Sequence, residues 1–168
     1  MKAIIMNNVS QFSWTMKRSF YFEVHDTMEN VVQALESLKG DISAGRYPDN
    51  ISLWPNADGY RFHYELQQWD KNGRLAKTAF GDGQIWQHEN GTVVVEGSAE
   101  IDPWGFYGAM LASILATFVT AISTKSNIVV WILLLLGVLA FIIFIYTENR
   151  NRVSERIAQA LSPDSHMA

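Results

Sequence analysis

The amino-acid sequence predicts an α+β protein: an N-terminal antiparallel β-meander with one amphipathic helix, followed by a two-helix transmembrane hairpin. Three observations predict this fold class. Apolar and polar residues alternate over most of residues 14–101, and one segment after residue 25 has helical spacing instead. Further along, two long apolar stretches lack any charge. We therefore expect a cytosolic domain (1–103), a transmembrane hairpin (104–146, with spans 105–122 and 128–146) and a cytosolic helical extension with a flexible tail (147–168).

A change in the spacing of apolar residues predicts the first strand and the helix. Within residues 14–25, Phe20, Phe22 and Val24 alternate with polar residues, as in a half-buried strand. The apolar residues that follow recur every three or four positions and fit one helix face: Met28, Val31, Val32, Leu35 and Leu38. Asp26 and Glu29 predict a capping box at the start of this helix, and Gly40 stands just past its end.

Residues 51–101 predict a series of antiparallel strands joined by short turns. The predicted strands are 51–54, 60–67, 74–80, 84–89 and 92–101. Turn residues separate them at 55–59, 71–73 and at Asn90-Gly91, which is the strongest two-residue hairpin signal in the chain. The Gly81-Asp82-Gly83 segment is expected to be a turn or a strong bulge, because glycine readily supplies positive φ angles.

The single helix is expected to cover the apolar face of this sheet. The order of a strand, a helix and a long meander resembles the helix-grip architecture of START-like proteins. In that architecture a long helix closes the fold, and here the first span would have to replace it. A ligand is expected on one face of the sheet or in the cleft between sheet and helix. This resemblance concerns the fold and implies no particular activity.

The two apolar stretches have the length of membrane spans, since a hydrocarbon core of ~30 Å needs about 20 helical residues. Residues 128–146 hold fifteen Leu, Ile, Val or Phe residues, and a chain of 168 residues has no core large enough to surround such a helix. Because the loop at 123–127 is short, the spans are expected to be antiparallel neighbours. Both ends of the chain then lie on one side of the bilayer.

Charge predicts which side that is. Lys125 is the only charge in the loop between the spans, whereas Arg150, Arg152 and Arg156 follow the second span. The positive-inside rule therefore predicts cytoplasmic N- and C-termini. The chain has no cysteine, in agreement with a cytosolic domain. The extension at 147–161 keeps helical spacing and is expected to lie against the soluble domain or the lipid headgroups.

Small residues recur every four positions in the first span, at Gly108, Ala112, Ala116 and Thr120. Such a stripe allows the close approach of another helix. One interpretation is that it packs on the second span of the same chain, around Gly137 and Ala140. The other is a seam between copies of the chain in a homo-oligomer.

Candidate chemistry in the soluble part rests on few residues. On a predicted strand, His63 and Glu65 point to the same face about 7 Å apart, and His88 is predicted on a nearby strand. They predict either a two-His, one-carboxylate site or, as we favour, the solvent-facing side of a half-buried strand. Trp86 joins them as a ligand-binding candidate, because aromatic side chains with polar tips are numerous here. The alternative for the aromatic residues is an aromatic-rich core.

The sequence argues against several function classes. It contains no metal-ligand spacing, no Gly-x-Ser-x-Gly elbow and no phosphate-cradling loop, so we expect no metal, no cofactor and no catalytic residue. Residues 1–103 hold nine Lys and Arg against fourteen Asp and Glu. This acidic balance argues against nucleic acid as a partner.

The favoured hypothesis is a non-enzymatic, membrane-anchored module. Its cytosolic domain would bind a small molecule or a protein, and the hairpin, coupled to it through the short Asp102-Pro103 linker, would self-associate in the bilayer. One alternative is an accessory or scaffold subunit of a membrane complex. A less favoured alternative is a membrane-tethered enzyme.

Overall fold

The computed structural model describes residues 16–40, 49–69, 75–124 and 128–162. Its elements are β1 (Lys17–Val24), α1 (Met28–Glu36), β2 (Asn50–Asn56), β3 (Gly59–Trp69), β4 (Leu75–Gln87), β5 (Val93–Ile101), α2 (Pro103–Thr124) and α3 (Ile128–Ala160). The predicted α+β class is confirmed, with an antiparallel sheet, a strand-helix-strand order and two apolar helices after it. The first two residues of the strand predicted at 14–25, Lys125 and the hairpin predicted at 71–73 lie outside the described residues.

The five strands form one antiparallel sheet in the order β1-β5-β4-β3-β2. The meander from β2 to β5 follows the predicted alternation, and β1 closes it by pairing with β5. Alternate side chains point to one face, where they build the core with α1 and α3. The bulkiest of these strand residues, all nearly inaccessible to solvent, are Phe20, Phe22, Phe62, Tyr64 and Ile85. We call this side the core face and the opposite side the outer face.

Helix α1 is capped by a different residue from the one that the sequence predicted. Asp26 was expected to be the N-cap, but the cap is Thr27, whose side chain accepts a hydrogen bond from the Asn30 backbone N–H at 3.3 Å. Asp26 supports the turn from one residue further back, since its Oδ1 accepts from the Thr27 N–H at 2.8 Å. Val31 and Leu35 on the predicted apolar stripe are buried against the sheet.

Strand β4 runs unbroken through Gly81-Asp82-Gly83, so the expected turn or strong bulge at this segment was wrong. The glycines provide space there. An added Cβ would lie 2.5 Å from the Phe62 ring at Gly83 and 2.8 Å from Val153 Cγ1 at Gly81. The irregularity in this strand pair lies further along, where the β3–β4 register shifts between Leu66 and Gln67.

The hairpin predicted at Asn90-Gly91 joins β4 to β5. Gly91 has a φ of +84°, which L side chains rarely adopt, so this position favours glycine. The loop is closed by a hydrogen bond from the His88 N–H to the Thr92 carbonyl at 2.8 Å. Asn90 Oδ1 also accepts from the Thr92 N–H at 2.9 Å. The turn between β2 and β3 is shorter than the predicted 55–59, because both strands extend to within two residues of each other.

Helices α2 and α3 are both long and apolar enough to cross a membrane, and neither apolar segment is buried within the chain. Helix α3 continues for 33 residues without a break. We call its residues 128–146 the apolar half and its residues 147–160 the core half. In the core half, Val153 and Ile157 are fully buried against the sheet. The first span was expected to take the position of the closing helix. The core half of α3 occupies that position instead.

The two apolar helices pack through a different small-residue stripe from the predicted one. Gly108, Ala112, Ala116 and Thr120 all lie on the exposed side of α2, and Gly137 and Ala140 are exposed on α3. Of the two interpretations of this stripe, packing on the second span around Gly137 and Ala140 is therefore not the arrangement in the structure. The partly buried side of α2 carries a parallel stripe of small residues: Gly105, Ala109, Ser113, Thr117 and Ala121.

Candidate functional site

The outer face of the sheet carries three of the four predicted ligand-binding residues, His63, Glu65 and Trp86. Strand register arranges its side chains in rows that cross all five strands. One row, which we call the histidine row, consists of Ser19, Ser98, Asp82, His63 and Ser52. The next row, which we call the arginine row, consists of Tyr21, Glu96, Gln84, Arg61 and Trp54.

His63 lies between two carboxylates. Its Nδ1 is 2.6 Å from Asp82 Oδ1 on β4, and its Nε2 is 3.4 Å from Glu65 Oε1 on the same strand. The same-face placement of His63 and Glu65 follows from the alternation of β3. Asp82 was missed, because no local signal in the sequence shows which β4 residue lies opposite His63. The ring also lies against Phe80, at 5.8 Å between ring centroids.

His88 does not join this cluster. Asp82 pairs with His63, and His88 lies six residues further along the chain from Asp82, about 20 Å away in an extended strand. The His88 ring packs instead on Trp86, with centroids 5.6 Å apart. Among the described residues, no three His, Asp or Glu side chains converge in a way that could hold a metal ion.

A groove of about 980 Å³ crosses the outer face between the two rows. Its floor is the backbone of Phe20, Gly97, Gly83 and Phe62, whose aromatic side chains point to the core face. Ser19 and Asp82 form one wall. The other wall is the arginine row without a break, from Tyr21 on one edge strand to Trp54 on the other. Trp86 lies beside it in a second recess of about 450 Å³.

The cleft between the sheet and its covering helices, the other place where a ligand was expected, is filled by side chains. Tyr64 and Phe62 occupy it from the sheet, and Val153 and Ile157 occupy it from α3. The glycines of β4 and β5 allow this close packing. An added Cβ at Gly97, for example, would lie 2.8 Å from the Phe20 ring.

One buried polar pair lies at the edge of this core. The Tyr64 hydroxyl donates to Asp49 Oδ2 at 2.6 Å, and Asp49 is only 7% exposed. Burial raises the pKa of the Asp49 carboxyl, although the Tyr64 hydrogen bond and the nearby Arg156 guanidinium act in the opposite direction. Burial, followed by the hydrogen bond to Asp49, raises the pKa of Tyr64 as well. The pair therefore ties the residue before β2 to β3, and Tyr64 lies on the face opposite the groove.

Comparisons with known proteins assign no family. No protein-family model and no curated protein matches the chain. Among solved structures, a Rhodobacter sphaeroides protein from a structural genomics consortium is 13% identical, with a TM-score of 0.29 over 57% of this chain and 78% of that chain. CalU16 from Micromonospora echinospora is 9% identical, with a TM-score of 0.25 over 94% of this chain and 99% of that chain. Scores this low support no argument about fold or function.

Proposed function

We propose that this protein is a membrane-anchored binding module. Helix α2 and the apolar half of α3 cross the bilayer as a hairpin, with both chain ends in the cytoplasm. The sheet domain binds a ligand or a protein on its outer face, and its orientation is fixed to that of the hairpin. The observation that carries this proposal is the continuity of α3, which is apolar on all sides at one end and part of the domain core at the other.

The surface of the hairpin supports insertion into lipid. Large apolar side chains are exposed around both helices, including Phe118 at 63%, Leu133 at 64% and Phe144 at 65%. An apolar surface of this extent on a soluble chain would drive aggregation. The hydroxyls of Ser113 and Thr117 donate to backbone carbonyls four residues earlier, each at 2.8 Å. These bonds satisfy the polar groups within the helix, as the hydrocarbon phase requires.

Coupling between the domain and the hairpin is supported at two points. Asp102 alone separates β5 from α2, and its Oδ2 accepts from the Gly105 N–H at 2.9 Å, capping the helix. At the second point, Arg18 Nη1 of β1 donates to Asn151 Oδ1 of α3 at 2.6 Å. Arg150 is buried next to this contact, and burial, together with the Arg18 charge, lowers its pKa. Two attachments restrict rotation of the domain relative to the hairpin.

Self-association of the hairpin is part of the proposal. The stripe of Gly108, Ala112, Ala116 and Thr120 is exposed, and an added Cβ at Gly108 would meet nothing within 4 Å. Small residues on a lipid-facing surface let a second helix approach closely. The same stripe could instead receive a different membrane protein, which is the accessory-subunit alternative.

Single cysteines test both parts of this proposal without background, because these 168 residues contain none. In intact cells, Asn90→Cys in the β4–β5 hairpin should not react with a membrane-impermeant maleimide until the membrane is permeabilised. Ser123→Cys at the other end of α2 should react from outside. Labelling of both positions in intact cells, or protection of both until the membrane is opened, would contradict the two-span topology.

The oligomer is tested with the same set of variants. Ala112→Cys on the exposed stripe should form a disulfide-linked dimer in membranes under mild oxidation. Thr117→Cys is the matched control, because it lies on the partly buried side of α2, in a recess that Trp131 and Leu135 also line. Equal cross-linking at both positions would indicate random collision. A cross-link of Ala112→Cys exclusively to another protein would favour the accessory subunit.

A further inference from the structure

We propose that the groove on the outer face binds an extended peptide segment of a partner protein, with a Lys or Arg side chain of that segment held between Asp82 and Glu96. This inference rests on the proposed function and names the partner of its binding face. It is carried by the groove's shape, by the positions of two carboxylates on its opposite walls, and by the charge of the four strand rows around it.

The groove has the length of a short peptide. It crosses from β1 to β2, and four strand spacings of ~4.8 Å give about 19 Å. An extended segment of about six residues has this length. The groove is open, so it suits a chain that enters and leaves better than a compact small molecule, which is usually buried over most of its surface.

Two carboxylates face each other across the groove. Asp82 pairs with Ser98 and Glu96 pairs with Gln84, which makes Asp82 and Glu96 diagonal neighbours on adjacent strands, about 7–8 Å apart. A Lys or Arg side chain that enters the groove between these two positions has a carboxylate-bearing residue on each side. The Asp82 side chain is 54% exposed and contacts His63 Nδ1 through Oδ1 at 2.6 Å, and Glu96 Oε1 accepts from the neutral Gln84 amide at 2.6 Å. Each carboxylate therefore retains oxygen lone pairs for a further donor.

The charge of the face favours a basic partner. Four successive rows of the outer face contain five acids, Glu23, Glu65, Asp82, Glu96 and Glu100, against two bases, Lys17 and Arg61. Lys17 is paired with Glu100 at 2.8 Å and so compensates a carboxylate outside the groove. A like-charged acidic segment would be repelled from such a face.

Aromatic side chains at the two ends of the groove suit the peptide residues on either side of the bound Lys or Arg. Trp54 is 51% exposed on edge strand β2 and offers an indole face, and Tyr21 occupies the other edge. Aromatic side chains such as these bind apolar or aromatic neighbours in a peptide. The backbone groups of the central strands are engaged in sheet pairing. Recognition must therefore come from side chains and not from the addition of a strand.

The experiment compares three fluorescein-labelled peptides that differ at one position: Ser-Ser-Trp-Ser-X-Ser-Phe-Ser, with X as Lys, Gln or Glu. Binding to the full chain in detergent micelles is followed by fluorescence polarisation. The Lys peptide should bind at least about tenfold more tightly than the Gln peptide, as expected for charge-assisted hydrogen bonds, and the Glu peptide should bind most weakly. Added salt should reduce the advantage of the Lys peptide.

Variants assign the effect to the groove. Asp82→Asn and Glu96→Gln keep side-chain shape, at an exposed and a half-buried position respectively, and each should lower affinity for the Lys peptide about tenfold. Glu155→Gln, an exposed change on α3, is the matched control and should leave affinity unchanged. Equal binding of the three peptides, preference for Glu, binding of none, or insensitivity to both groove variants would overturn the inference. The cysteine-labelling result is independent of these residues, so failure here leaves the membrane module standing.

Discussion

The apolar half and the core half of α3 belong to one helix but have opposite surroundings. The apolar half exposes large apolar side chains, such as Leu133 and Phe144, around its circumference. The core half buries one stripe, which includes Val153 and Ile157, and exposes charged residues such as Glu155 on its other side. The distribution of apolar residues around a helix therefore reflects its surroundings. A helix in lipid is apolar on all sides, whereas a helix that packs against a protein core is apolar along one stripe.

The boundary between the two halves is polar. Asn149 and Arg150 are buried at this point, and the adjacent Asn151 accepts a hydrogen bond from Arg18. No helix breaker separates the halves, so movement of one half must be transmitted to the other. The difference between the halves can be tested by making the same kind of change in each.

The largest expected effect comes from truncating a buried side chain of the core half. Ile157→Ala should lower the free energy of unfolding of the sheet domain by about 2–5 kcal/mol, because Ile157 is fully buried among sheet residues. Leu133→Ala in the apolar half should leave it unchanged. Denaturant unfolding of the full chain in detergent, followed by tryptophan fluorescence, measures both. Equal losses would mean that the apolar half belongs to the same cooperative core.

Local patterns in the sequence were sufficient for the elements themselves. Alternation in β3 places Phe62, Tyr64 and Leu66 on the core face, and helical spacing places Val31 and Leu35 against the sheet. The two apolar helices follow from composition alone. Each of these inferences needs only neighbouring residues, because secondary-structure periodicity is a local property.

Register and long-range packing were beyond such patterns. His63 and Asp82 are 19 positions apart, and Arg18 and Asn151 are 133 positions apart. Nothing local marks either pair, so these contacts were missed. The extension at 147–161 was expected to lie against the soluble domain or the lipid headgroups, and the structure has the first of these arrangements. Gly81 and Gly83 resembled a turn because the sequence does not show that Val153 and Phe62 need the space above them.

The second largest effect is expected at the Asp49–Tyr64 pair, to which Arg156 of the core half contributes. Tyr64→Phe should cost about 1.5–3 kcal/mol, because a buried carboxylate loses a hydrogen-bond donor. Tyr21→Phe is the matched control, since that hydroxyl donates to Glu23 on the outer face. It should cost much less. The measurement is again denaturant unfolding in detergent.

The pH dependence of this cost has a definite sign. Because burial raises the pKa of Asp49 in the folded state, its contribution to stability is greatest below the ordinary Asp pKa of about 3.9 and declines as pH rises through the folded-state value. The Tyr64 hydroxyl favours the ionised carboxylate, so its removal raises that pKa further. The cost of Tyr64→Phe should therefore be greater at pH 7 than at pH 4. A cost independent of pH would show that the carboxylate stays in one protonation state.

The smallest expected effect is tested by comparing two glycines. One lies in β4 under the core half of α3, and the other lies within the apolar half. Gly81→Ala should cost about 1–3 kcal/mol, because its Cβ would lie 2.8 Å from Val153 Cγ1 and push the core half away from the sheet. Gly137→Ala in the apolar half meets nothing within 4 Å and should cost nothing. The decisive variant is Gly81→Ala combined with Val153→Ala. It should be more stable than the sum of the single costs predicts, because removing the valine methyls makes room for the new Cβ. Simple additivity would locate the strain in the backbone of β4 and not in its contact with α3.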